Sequence, residues 1–234
     1  AVKSACPELP VLWQGDWPYV TQTGPGGWEP DACITPECTN AEMLHDTAAA
    51  LLREPVRTRG LVNKSCRVLV DALSEFFGLK ILSCTRYRRV PRTLMADCGA
   101  VLSFAGRNAE GYVTIAAAWP TLTRTLAAMF PNQTPSVSEV EDLLCEGANR
   151  IFGAEKGVLN KYGLDLKTGL PLVVRGRNIA VKFKRSITPI VLELGTSYGT
   201  FHVECALGID ENFIPESSDA ESIVGDDSGN LTFF

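Results

Sequence analysis

No stretch narrows the folds open to this chain more than Ser136 to Gly163, SVSEVEDLLCEGANRIFGAEKGVLNKYG. Its spacing predicts one long amphipathic helix. Ser138 and Glu141 stand in the S-x-x-E relation of a capping box, where two side chains satisfy backbone N–H groups reciprocally, and so predict the start. Gly163 predicts the stop, because glycine turns left-handed at little cost. At about 100° per residue, Val140, Leu144, Ala148, Ile151 and Val158 fall on one side. Asp142, Glu146, Asn149 and Gly153 fall nearly opposite. Glu146 and Asn149 are thus neighbours one turn apart, on the face turned away from the core. A carboxylate and a carboxamide so placed can receive a partner's charged group and hold a water. Spacing alone favours the plainer reading of an ordinary solvated helix face.

The other elements follow from the same periodicities. Thr39 or Asn40 caps a short helix to about Leu52, ended by Pro55. A second helix runs from about Leu61 to Phe77, with Cys66, Val70, Leu73 and Phe77 on one face and Gly78 as its stop. Residues 80–90 read as a strand whose RYRRVPR end is a solvated basic edge. Residues 98–104 and 112–118 read as a hairpin around the turn 106–111. Trp119-Pro120 opens a helix to Phe130. Strands follow at 167–174, 179–186, 190–194 and 200–206.

The chain contains itself twice. Phe77-Gly-Leu-Lys-Ile81 parallels Tyr162-Gly-Leu-Asp-Leu166 at an offset of 85, each a helix end entering a strand. Gly111-Tyr-Val-Thr-Ile115 parallels Gly199-Thr-Phe-His-Val203 at an offset of 88. Two halves, each a helix and then a meander, predict an α+β fold: one antiparallel sheet of two pseudo-repeated halves with long helices on one face. The expected organisation is a loop-rich Trp/Pro/Cys-rich extension over 1–57, a domain over 58–209 and an acidic tail over 210–234.

The words around the Glu146/Asn149 pair carry more. Glu146-Gly-Ala-Asn149-Arg-Ile-Phe-Gly153, followed by Tyr162-Gly-Leu-Asp-Leu-Lys-Thr-Gly-Leu-Pro171-Leu-Val-Val-Arg-Gly176, resembles the CheX/CheC family of chemotaxis phosphatases. The signature is E-x-x-N, then a helix end, an apolar strand and a Leu-Pro pair before a glycine. The match spans about Leu61 to Leu207. The resemblance implies the same architecture, and a phosphatase that hydrolyses the aspartyl phosphate of a CheY-like receiver domain. In that reading Asn149 orients the attacking water and Glu146 pairs with the receiver's lysine. Asp142, Arg150 and Gly153 flank them as partner contacts. Mg²⁺ would come with the phosphorylated partner, so the chain needs no cofactor of its own. At offset 85 the counterparts of Glu146 and Asn149 are Leu61 and Lys64. The first helix therefore cannot repeat the pair, and the chain resembles the single-site CheX form rather than the two-site CheC form. It departs from the pattern in its extension, its acidic tail, and the bulk of Arg150 and Phe152 beside the motif.

Composition removes other classes. A net charge of −5 argues against an electrostatic nucleic-acid binder. No apolar run is long enough to span a bilayer, and there is no secretory signal. G-x-S-x-G, GxxxxGK[ST] and H-E-x-x-H are absent. Of the two histidines, His202 sits on a strand pattern and His45 is the only one near Cys33 and Cys38, too few ligands for zinc. Cys66, Cys84, Cys98, Cys145 and Cys205 read as small buried residues, and Cys33 and Cys38 as free thiols in a reducing cytoplasm. The N-x-S/T triplets at Asn63, Asn132 and Asn230 read as chance matches. Trp13, Trp17 and Trp28 are expected to cover apolar surface. Two alternatives to the phosphatase stand: a non-catalytic regulator-binding or scaffolding module, and an exported disulfide-bonded binding domain. Strand 179–186 carries Lys182 and Lys184 as edge guards. With the extension over an edge, this predicts a monomer or weak homodimer, where the resemblance implies dimers joined at edge strands.

Overall fold

In the computed structural model the described residues are 12–14, 32–34, 45, 48–49, 56–88, 96–131, 134–176, 179, 181, 187, 189–210 and 212–214. The central helix, α3, spans Val137–Asn160, and its N-cap is Ser136, two residues before the predicted Ser138. The backbone N–H of Ser136 donates to Glu139 Oε2 at 2.8 Å, and Ser136 Oγ accepts from the Glu139 N–H at 3.3 Å. The chain holds two overlapping S-x-x-E frames, 136–139 and 138–141. The first makes the box, while Glu141 is taken by Arg175 from a strand. Past the helix end, Gly163 has φ 84°, the left-handed turn expected of it.

The helix α1 spans Val56–Phe77, beginning ahead of the expected Leu61, and α2 spans Trp119–Met129. Gly78 closes α1 with φ 62°, as Gly163 closes α3. On α3 the residues Val140, Leu144, Ala148 and Ile151 are buried as predicted. Val158 is only half-buried and Leu159 takes the deep place, because a 3.6-residue stripe through 144, 148, 151 and 155 arrives at 159. From α1 come Leu61, Leu69, Leu73 and Phe77. Each such side chain taken fully from water contributes about 1.5–3 kcal/mol.

The strands are β1 (Leu12–Gln14), β2 (Ala32–Ile34), β3 (Ile81–Arg88), β4 (Cys98–Ala105), β5 (Ala109–Ala117), β6 (Lys167–Thr168), β7 (Leu172–Arg175), β8 (Ile190–Thr196) and β9 (Gly199–Ile209). They form one sheet in the order β1-β2-β3-β8-β9-β5-β4-β6, with β7 also on β4. All pairings are antiparallel except the short parallel β1–β2 pair. Alternate residues Ala100, Leu102, Val113, Ile115, Leu192, Leu194, Phe201 and Val203 share the main core with α1 and α3. The other face carries a smaller cluster, Ala96, Ala116, Ile179 and Val191.

The internal repeat is visible in the register. Ile115 and Val203, equivalent at offset 88, are paired directly across β5 and β9. A pseudo-two-fold axis therefore passes between them. It relates the β3–β8 pair to the pairing of β6 and β7 with β4.

Two expectations change. The strand 167–174 is broken into β6 and β7: β6 pairs Thr168 with Phe104 and β7 pairs Leu172 with Val101, one residue out of that register, and Pro171 between them has no N–H to give. The extension is not wholly loop: β1 and β2 prolong the sheet, with Cys33 paired to Arg86. Three-residue strands are too short to show an alternation. Within 179–186, Ile179 is buried and Val181 half-buried. The guard lysines 182 and 184, the tryptophans of the extension and the tail beyond Ile214 lie outside the described residues. Of the helix expected before Leu52, residues 45, 48 and 49 are helical and the rest lies outside.

Candidate functional site

Glu146 and Asn149 are both exposed on α3, one turn apart, with Asp142, Arg150 and Gly153 exposed beside them. The predicted site residues thus share one helix face. Gly147 and Ala148, between the pair, are buried against the core. A Cβ on Gly147 would lie 2.9 Å from Phe77 Cζ and 3.1 Å from Phe76 Cε1. Phe77 in turn meets Phe76 edge-on at 4.8 Å between centroids and Phe201 at 5.4 Å. The backbone carrying the pair is therefore seated directly on the aromatic end of α1, and a side chain at 147 would have to displace those rings. Phe152 turns inward and stacks on Phe104 at 4.7 Å, so its bulk does not crowd the site. Gly153 has open space around it.

Arg150 does touch the site. Its Nε donates to Glu146 Oε1 at 3.0 Å, across side chains 70% and 54% exposed. An exposed i,i+4 pair of this kind contributes only about 0.3–0.5 kcal/mol, so a partner's cation can replace Arg150 at little cost. Nearer the helix start, hydrogen bonds from the Ser136 side chain and backbone hold Glu139 below the usual carboxylate range, and a hydrogen bond from Arg175 does the same for Glu141.

The equivalent face of α1 is different. Leu61 is buried. Lys64 donates to the Tyr162 hydroxyl at 2.8 Å and lies 5.2 Å from the centre of that ring. One face of one helix carries the pair, as the sequence implied.

One ionisable group was missed. Glu155 lies inside the apolar stripe of α3 and is wholly buried. Ser65 of α1 donates to its Oε1, and Cys205 of β9 approaches the same atom at 3.6 Å. Burial pushes its carboxyl up to about 7, with the two hydrogen bonds opposing. The signal was present: 144, 148, 151, 155 is helical spacing, and the fourth residue is a glutamate. Cys66, Cys98 and Cys205 are buried free thiols as expected, while Cys84 and Cys145 are half-buried. Cys6 and Cys38, and the side chain of Cys33, lie outside the described residues. Among the described residues no group of three or more His, Cys, Asp or Glu is arranged to hold a metal ion. Among the described residues no helix is long and apolar enough to cross a membrane.

Residues 98–195, from β4 through α3 to β8, match the family model of chemotaxis phosphatase CheX. Similar solved structures share the architecture. A CheC-like superfamily protein from Shewanella sp. PV-4 superposes with a TM-score of 0.55 at 22% identity, over 63% of this chain and 97% of that one. CheX from Desulfovibrio desulfuricans gives 0.55 at 19% identity, over 64% and 98%. The chain has a CheX-like fold. The CheX of a CheX–CheY–BeF3–Mg²⁺ complex from Borrelia burgdorferi gives 0.51 at 13% identity, over 63% and 97%. No curated protein matches the chain. The CheX-like region contains the whole of α3, and with it every predicted site residue.

Proposed function

We propose that this chain is a CheX-like phosphatase that hydrolyses the aspartyl phosphate of a CheY-like receiver domain. The observation that carries the reading is the joint exposure of Glu146 and Asn149, one turn apart on a helix whose Gly147 is locked onto Phe76 and Phe77. An acyl phosphate is already labile, so a rigidly placed water suffices for much of the rate gain. Asn149 would enter the receiver's site and hold that water in line through its carboxamide. The water oxygen bonds to phosphorus as the phosphorus–carboxylate bond breaks, leaving the receiver aspartate and inorganic phosphate. Glu146 would exchange Arg150 for the receiver lysine and so fix the docking, with Asp142, Arg150 and Gly153 at the rim. Mg²⁺, held by the receiver, neutralises charge on the phosphoryl group. The partner implies a cytoplasmic protein. With β2 covering the β3 edge, the assembly is a monomer or weak homodimer, which light scattering on the full chain checks.

The test is phosphate release from a receiver charged with a small acyl-phosphate donor. Asn149→Ala is expected to lower turnover about 100-fold, while docking and stability hold, since an exposed side chain is removed. Unchanged turnover would overturn the assignment of Asn149. A second reading, a regulator-binding module without catalysis, rests on the same exposed helix face, which serves docking whether or not a water is held there. It predicts receiver binding with no phosphate release by the unmodified chain.

A further inference from the structure

Glu155 is the one carboxylate of α3 with no route to water, and its two oxygens are unequal. Oε1 receives Ser65 and Cys205; Oε2 is buried and has no hydrogen-bond partner among the described residues. The groups that face it offer no charge to balance an ionised carboxylate. From α1 the group is Ser65, and from β9 it is Cys205, whose own thiol burial pushes well up and on which Cys66 of α1 also acts. Lys156, next along α3, makes no ion pair with it among the described residues. An orphaned buried carboxylate is among the costliest groups a fold can hold. A protonated carboxyl in the same place leaves one neutral group without a partner, a much smaller cost than a buried charge.

We propose that Glu155 is a proton-controlled joint between α3, α1 and β9: neutral, it lets the three elements close on one another, and ionised, it loosens α3, the helix that carries Glu146 and Asn149. The direction follows from linkage. The unfolded chain releases this proton near 4.5 and the folded chain near 7. Between those values the fold holds one proton more than the unfolded chain. Stability from this group is therefore fully present below 4.5, falls as pH rises through the window, and is level above about 7. The full change is about 10^2.5, roughly 300-fold in the unfolding constant.

Urea unfolding of the full chain and of Glu155→Gln, compared from pH 4 to 8.5, tests this. The glutamine keeps the shape and cannot ionise. The ratio of the two unfolding constants is expected to rise by about 100- to 300-fold across the range; a ratio constant within about 3-fold overturns the proposal. If the variant does not fold, ¹³C-carboxyl NMR titration of the wild-type chain decides. One glutamate with a midpoint near 7 supports the joint, and glutamates that all titrate below about 5 overturn it. Amide exchange, corrected for intrinsic rate, locates the effect. Protection over 151–159 should fall between pH 6 and 8 while that of β4 and β5 holds, and an equal loss everywhere overturns the loosening of α3. None of these readouts depends on phosphatase activity.

Discussion

The two halves of this domain share a backbone plan and divide the chemistry unequally. Both α1 and α3 run along the same face of the sheet, are closed by an aromatic residue followed by a glycine with positive φ, and feed a strand. Yet at equivalent positions α1 has Leu61 buried and Lys64 tied to Tyr162, where α3 has Glu146 and Asn149 exposed. Val62 stands where Gly147 lets α3 sit down on Phe77, and Val70 where Glu155 interrupts the apolar stripe. The edges differ too: β3 is covered by β2, whereas β6 and β7 have no outer neighbour among the described residues. Duplicated topology thus fixes where a helix lies but not what it presents. A slight difference in how deeply each helix is seated turns the same position from core to surface.

The largest effect comes from forcing the halves to match. Leu61→Glu places an unpaired charge in a fully buried position and is expected to cost about 3–5 kcal/mol, measured by urea unfolding. Glu146→Leu, the reverse exchange on the exposed face, should stay within about 0.5 kcal/mol. Equal costs would mean that the two helices are equally deep. A smaller contrast lies within α3. Gly147→Ala must push against the Phe76–Phe77 pair and should cost about 1–3 kcal/mol. Gly157→Ala meets nothing within 4 Å and should gain about 0.5–1 kcal/mol from helix propensity. A stabilising Gly147→Ala would dismantle the seat described for the site. The subtlest difference is between the edges. Removing residues before Val56 uncovers β3 and should convert a monomer into a species that self-associates at micromolar concentration, seen by light scattering. A tight dimer of the full chain would contradict the edge comparison.

Much of this was readable in the residues. The polar face of α3 was legible because Asp142, Glu146, Asn149 and Gly153 recur at helical spacing, and β4, β5, β8 and β9 because each is an apolar run beside glycine-bearing turns. The cap was misplaced by two residues because two S-x-x-E frames overlap, and the contact that takes Glu141 out of its frame comes from Arg175, 34 residues away. The split of β6 from β7 is a one-residue shift of register against β4, of which the sequence announces only Pro171 at the break. Glu155 was overlooked for the opposite reason. The stripe around it was so apolar that periodicity assigned the position without weighing the residue.

The strand order has a consequence for how the chain can come apart. The outermost strand of the first half, β3, is paired to β8 of the second, and β6 and β7 of the second are paired to β4 of the first. The halves have traded their borders. Neither can complete its own part of the sheet alone, and the central β5–β9 seam joins residues 88 apart at the axis. Loop closure over that span must precede the contacts that reward it. The repeat therefore does not make two foldons. A ribosome that has released only the first half has released a helix, an orphan strand and a hairpin, and the domain waits for β8 and β9 before any of them has a home.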